Sequence, residues 1–352
     1  MAQIKVLSWN IQVYGPRKYG WSGNNLALAR FAASVAQVCG AHVLLVQEAM
    51  ASVAASVAYT LCECLAVQTG SPWSHVVVDC APDGDREATL ILWRTDASFA
   101  YLQSTTATNR FPQWFGNATI KGRRLGMALF RTTDTGTHFV AGTYHAPPSN
   151  PVPGIEACAK CPEIWTQAVG GTAQPIARHV ISGDFNLDYN AYAADADYGW
   201  LTNPRPPAPP PTAKGQGAGL VPAVTDRRVI GTILGTVDMA KKAWGADPAN
   251  WSDDTEAYRQ RDQILDNVFH DGGAAGAGSV VDVLAMMLER RSPVRVYANK
   301  FALRESPYTD VPAFPNAGLI PVDDRLKSAA YAFILYRGAI SDHLPIMATV
   351  TF

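Results

Sequence analysis

The stretch HVISGDFNLDY, residues 179–189, decides how this chain is read. After His179, three apolar or small residues run up to Gly183, as in a buried strand. It then ends in Asp184 and Asn186, a carboxylate and an amide two residues apart. A turn would account for this, because Gly, Asp and Asn tolerate unusual backbone angles and bond their own backbone. The other apolar runs decide between a turn and a site.

IKVLSWNI near the start reads as a strand rich in β-branched and aromatic residues. Asn24 to Cys39 reads as a helix, with Leu28, Phe31, Val35 and Val38 recurring at helical spacing and Gly40 as its C-cap. HVLLVQE is a continuous apolar run, the pattern of a strand buried on both faces. A second helix carries Val53, Val57, Leu61 and Leu65 on one stripe. ATLILWR, LGMALFRT, HFVAGTYHA, QILDNVFH and PIMATVTF complete the strand-like runs. Many strands with a few helices mean a layered α/β or α+β fold. Residues 203–219 (Pro-rich, then Gly-rich) and 271–279 (DGGAAGAGS) read as loops unable to pack a core. Strand signals continue on both sides, so 1–352 reads as a single domain with loop insertions near 200–260 and 271–335.

The chain has 352 residues, 48% of them hydrophobic, which is enough for a large core. A net charge of −1 gives no global basic field, so any nucleic-acid contact must come from a local patch. Arg110, Lys121, Arg123 and Arg124, bracketing Phe111, Trp114 and Phe115, offer one: a groove-facing patch or a solvated loop. No apolar run approaches the roughly 18–20 residues a membrane span needs. The start carries no secretion signal, so a cytoplasmic location is the default expectation, with secretion open if a leader is removed. No obligate protein partner is evident. The six cysteines include the pair Cys158 and Cys161 in CAKC. Without a second such pair, a local disulfide or two free thiols is favoured over structural zinc.

The apolar runs share one feature. They end or begin at chemistry-bearing residues: Asn10, Gln47 and Glu48, His145, Asp184 and Asn186, and Asp342 with His343. Each alone has a bland reading, as helix cap, core histidine or turn. Together they stand at strand rims, where rigid scaffolds present function. Carboxylate and amide oxygens suit a hard divalent ion such as Mg²⁺ or Mn²⁺. Histidines beside carboxylates suit proton transfer near neutral pH. That combination fits phosphate-ester hydrolysis. G-x-S-x-G, Walker and G-x-G-x-x-G motifs are absent.

LSWNIQVYG, LLVQEAM, TYHAPP, ISGDFNLD and ISDHLPIMATV, in this order, resemble the endonuclease/exonuclease/phosphatase superfamily, and WNIQVYG most resembles its deoxyribonuclease I-like branch. The resemblance runs from residue 4 to residue 352. It implies a four-layered α-β-β-α sandwich of two mixed β-sheets flanked by helices, with a metal-dependent site at one rim. It implies Glu48 as principal Mg²⁺ ligand (Mn²⁺ or Ca²⁺ being possible substitutes), Asn10 beside it, and Asp342 as a second metal-side carboxylate. Asp184 would take the proton of the attacking water and Asn186 would hold a phosphate oxygen. His145 and His343 would contact the scissile phosphate, oriented by Glu87 and Asp266. Arg123 or Arg124 would touch the phosphate. Abasic-site relatives carry other residues where this chain reads IQVYG and QEAM, which disfavours that activity. The expected activity is a DNA endonuclease of low sequence specificity, with RNA as another possible substrate. The alternatives are a phosphatase or phospholipase C-like hydrolase of inositol phosphates or sphingomyelin, and an inactive binding module on the same scaffold.

Overall fold

Strand β1 (Gln3–Tyr14) runs through the middle of the first of two six-stranded sheets. A computed structural model describes residues 3–15, 26–79, 87–102, 123–189, 196–213, 215–225, 231–259, 263–272, 277–298, 326 and 328–352. The other strands in chain order are β2 (Val43–Met50), β3 (Trp73–Asp79), β4 (Glu87–Arg94), β5 (Phe99–Leu102), β6 (Gly126–Thr132), β7 (His138–His145), β8 (Thr166–Val169), β9 (Thr172–Pro175), β10 (Arg178–Asp184), β11 (Val221–Pro222), β12 (Asp266–His270), β13 (Gly278–Val280) and β14 (Ile346–Thr351). The first sheet has the order β13-β14-β1-β2-β4-β3 and the second β11-β12-β10-β7-β6-β5. Both are mixed: β1 and β2 are parallel, as are β7 and β10, and the remaining pairs are antiparallel.

The sheets pack face to face, with Phe130, Phe139, Ala141, Val180 and Val268 of the second sharing a core with the first. Helices α1 (Ala27–Cys39) and α2 (Ala54–Thr69) cover the outer face of the first sheet. Gly40 ends α1 in the left-handed region, where a glycine carries no Cβ penalty. Helices α3 (Val152–Lys160), α4 (Pro162–Trp165) and α5 (Ala196–Thr202) lie against the second sheet. There Ile155, Ile164, Tyr198 and Leu201 bury Tyr144, Ile181 and Phe269. The result is the α-β-β-α sandwich. Residues 231–298 add α6 (Val237–Trp244), α7 (Val283–Leu288) and α8 (Pro293–Ala298), and α9 (Ala329–Ala339) leads into β14. Among the described residues no helix is long and apolar enough to cross a membrane.

Two loop expectations change, and for CAKC one of the two expected alternatives holds. Gly278–Val280, inside the supposed loop 271–279, forms edge strand β13 against β14. Gly272 lies so close under Val350 and Phe352 that a Cβ there would meet them at 2.5–2.8 Å. Gly272 and Gly278 thus make room for the last strand. In the other supposed loop, Ala218 is buried in the core over the second sheet. Cys158 and Cys161 are free and fully buried, so CAKC holds two thiols and no disulfide. Arg110, Lys121, Phe111, Trp114 and Phe115 lie outside the described residues.

Candidate active site

Strand register assembles the site. Asp184 pairs with His145 on the parallel neighbour β7 and with Asp266 on the antiparallel neighbour β12. Side chains at paired positions point to one face. Here that is the inner face, at the rim where the second sheet meets the first. From the first sheet come Asn10, in the second half of β1, and Glu48 on β2. Both strands bulge at this point: the β1–β2 register shifts between Asn10 and Tyr14, and the β2–β4 register between Val46 and Ala49. Glu48 itself is left-handed, at φ 59°. The bulge lets neighbours serve different places. Gln47 is fully buried and donates to Ser8 Oγ and Thr143 Oγ1, while Glu48 reaches the rim.

Asp184 is the centre of the constellation and is almost completely buried. Its Oδ2 lies 3.6 Å from His145 Nε2 and 3.6 Å from His343 Nε2. The far nitrogen of each ring is held by a carboxylate: His145 Nδ1 by Glu87 at 2.9 Å and His343 Nδ1 by Asp266 at 2.8 Å. Such a carboxylate fixes ring orientation and tautomer. Asn10 Nδ2 donates to Glu48 Oε1 at 2.8 Å and to Asp184 Oδ2 at 3.1 Å. Its own oxygen accepts from the Gln12 N–H, so its amide nitrogen faces the carboxylates. Asn186, left-handed at φ 49°, donates its N–H to Asp184 Oδ1 and its side-chain amide to the Ala146 carbonyl.

The electrostatics follow from burial among opposed charges. Burial raises the Asp184 carboxyl and Asp266 raises it further, against the pull of the two imidazoles. Burial alone would depress His145, but Glu87, Asp184 and Glu48 hold it above the ordinary histidine range. For His343 burial is likewise outweighed, by Asp266, Asp184 and Asp342, and its imidazole stands well above that range. A raised carboxyl makes a stronger base, and a raised imidazole keeps the proton it can donate.

Among the described residues, two sets of ligand atoms lie mutually within 4.8 Å: Glu48, His145 and Asp184, and Asp184, Asp266 and His343. Asp342 stands outside both. Its Oδ2 is 3.4 Å from Arg337 Nη1 and its Oδ1 is buried without a hydrogen-bond partner. Arg123 donates to Glu87 Oε1 and to the Ala146 carbonyl, both at 2.9 Å, while Arg124 Nε is buried without a partner. The sequence reading passed over three supports. Ser341 Oγ donates to the Asn10 carbonyl and accepts from the His343 N–H. Thr232 Oγ1 accepts from the N–H groups of Leu265 and Asp266. Arg337, on α9, meets Asp342. Only Ser341 had a signal, its place in the SDH run.

Residues 7–343 match the family described as the Endonuclease/Exonuclease/phosphatase family. No curated protein matches the sequence. Among solved structures, ANGEL2, a 2',3'-cyclic phosphatase in complex with adenosine-2',3'-vanadate, is similar with a TM-score of 0.51 and 12% identity, over 99% of this chain and 95% of that one. The mannosyl-6-phosphatase Bt3783 of Bacteroides thetaiotaomicron VPI-5482 is similar at 0.48 and 13%, over 99% and 100%. D. rerio TDP2 complexed with single strand DNA product is similar at 0.47 and 16%, over the whole of both chains. At such identities the likeness is one of fold.

Proposed function

Because the chain belongs to the endonuclease/exonuclease/phosphatase family and so to the hydrolases of phosphate esters, we propose that it is a divalent-metal-dependent phosphodiesterase that cuts DNA with little sequence preference. The observation that carries this reading is the pair of carboxylate-backed imidazoles converging at 3.6 Å on one oxygen of Asp184. That arrangement offers a base between two groups able to hold a phosphate. The donor set suits a hard cation: Glu48 and Asp184 supply carboxylate oxygens within one cluster, and Asp342 Oδ1, without a hydrogen bond and 3.8 Å from His343 Nε2, is a further carboxylate oxygen beside it. Glu48 would be the principal ligand. A Mg²⁺ ion there, or Mn²⁺ or Ca²⁺, supplies Lewis-acid stabilisation of phosphate charge.

The chain's own groups do the rest. Asp184 takes the proton of the attacking water. His343, whose imidazole is held above the ordinary range, despite its burial, by Asp266, Asp184 and Asp342, hydrogen-bonds the phosphate and offers a proton to the departing oxygen. His145 and Asn186 hold the remaining phosphate oxygens. A diester fits better than a monoester, because the rim cations Arg123 and Arg337 are each already paired with a carboxylate. A singly charged phosphate needs less compensation than a doubly charged one. DNA is chosen over other diesters on the resemblance of WNIQVYG to the deoxyribonuclease I-like branch.

Nicking of supercoiled plasmid tests this. Nicking should require Mg²⁺, stop with EDTA and be lost in Asp184→Ala. Absence of nicking by the wild type, with release of phosphate from monoesters, would reject the nuclease reading.

A further inference from the structure

Arg123 stands at a junction of three strand ends. Its Nη2 donates to Glu87 Oε1 at the start of β4, and its Nη1 to the carbonyl of Ala146, just past β7. Each acceptor has a second partner. Glu87 Oε2 holds His145 Nδ1 at 2.9 Å, and the Ala146 carbonyl accepts from Asn186 Nδ2 at 2.7 Å, two residues past the end of β10. One planar guanidinium thus links the carboxylate that orients His145 to the carbonyl that orients Asn186. The Ala146 N–H donates to the Asp184 carbonyl, which closes the connection to the central acid.

We propose that Arg123 is a positioning residue that sets His145 and Asn186 relative to each other, and not the phosphate-contacting arginine that the sequence suggests. This rests on the phosphodiesterase reading above. Two amino groups of the fork are committed to protein acceptors in a mostly buried setting, with side-chain exposures of 15% for Arg123 and 20% for Glu87. Turning them to a phosphate would strip both acceptors of a partner, which is costly away from water. The charge is also already compensated. Burial would raise the Glu87 carboxyl, but His145 and Arg123 hold it below the usual range. A lysine cannot replace the fork, because one ammonium lacks the planar pair of donors that spans two fixed acceptors. The second imidazole is held differently, since its partner Asp266 is fixed through its own N–H to Thr232 Oγ1.

The test compares wild type, Arg123→Ala and Arg123→Lys on bis(p-nitrophenyl) phosphate with Mg²⁺. Both variants should lose about 10–100-fold in kcat with KM within about twofold, as expected when an orienting partner is removed. Added guanidinium should restore part of the activity of Arg123→Ala and none of that of Arg123→Lys. A second readout needs neither metal nor turnover. In EDTA, the proton NMR signal of His145 Nδ1–H, identified by its loss in His145→Gln, should move or broaden in both variants while the His343 signal stays. A KM raised tenfold or more with kcat kept would overturn the proposal in favour of a phosphate contact. An unmoved His145 signal would overturn it as well. A wild type inert on the diester would sink the phosphodiesterase reading, and the NMR signal would still decide the place of Arg123.

Discussion

At the scale of single residues, the site is held by backbone that its side chains do not favour. Val13 is β-branched, has φ 51° and leaves its side chain 47% exposed. An L-residue in that region costs about 1–2 kcal/mol. The conformation aims the Val13 N–H at Glu48 Oε2, at 2.9 Å, and so fixes the carboxylate we assign to the metal. Val13→Asn keeps the N–H and tolerates the angle better. It should stabilise the protein by about 0.5–1 kcal/mol, seen as a higher Tm in EDTA, with nicking retained. A Tm that fell would mean that the Val13 side chain has a packing role the geometry hides. Legibility divides at this scale along the same line. His145, His343, Asp184 and Glu48 could be read because residue type and strand-end position both mark them. The left-handed turn at Glu48 could not, because glutamate gives no sign of it. Arg123 and Arg124 are adjacent and identical in type, so only the fold shows which one reaches Glu87.

At the scale of elements, close approach between β7 and β10 sets the position of Asp184. Gly183 has φ 144°, and a Cβ on it would lie 1.8 Å from the Tyr144 carbonyl oxygen. Backbone cannot give way as a flexible side chain can. Gly183→Ala should therefore force the strands apart beside the central carboxylate, costing about 2–4 kcal/mol. The expected result is a lowered urea midpoint and nicking reduced more than the unfolded fraction explains. A variant as stable and active as wild type would show that the strands pack less tightly than described. Helical periodicity found α1 and α2, and apolar runs found the central strands, because burial imposes those patterns directly. Edge strand β13 escaped because its first residue is chosen for close approach: a Cβ on Gly278 would meet the Met347 carbonyl oxygen at 2.7 Å and Ala223 Cβ at 2.8 Å. Small residues suited to close packing look, as composition, like a flexible loop.

At the scale of the whole molecule, two sheets meet at a rim where acids and imidazoles are buried together. Sequence motifs gave the layers through resemblance, whereas the convergence of two histidines on one oxygen emerges only from packing sheet on sheet. That burial ties stability to pH. Asp184 and His343 both have folded pKa values above their ordinary ones. Each binds its proton more tightly folded than unfolded. Its contribution is full below the unfolded value, about 4 for Asp and 6.5 for His, and is lost as pH rises through the folded value. Metal-free protein should therefore lose Tm as pH rises from about 6 to 9. A divalent ion acts in the opposite sense, because it binds the ionised carboxylate and competes with the proton. The Tm gain from adding Mg²⁺ should be larger at about pH 8.5 than at pH 6. Differential scanning fluorimetry across that range, with Mg²⁺ and with EDTA, measures both trends. A Mg²⁺ gain that was equal at the two ends, or larger in acid, would mean that the ion binds away from Asp184. Calcium in the same series separates occupancy from chemistry. It should reproduce the stabilisation if Glu48 and Asp184 hold either ion, whatever rate of nicking it supports.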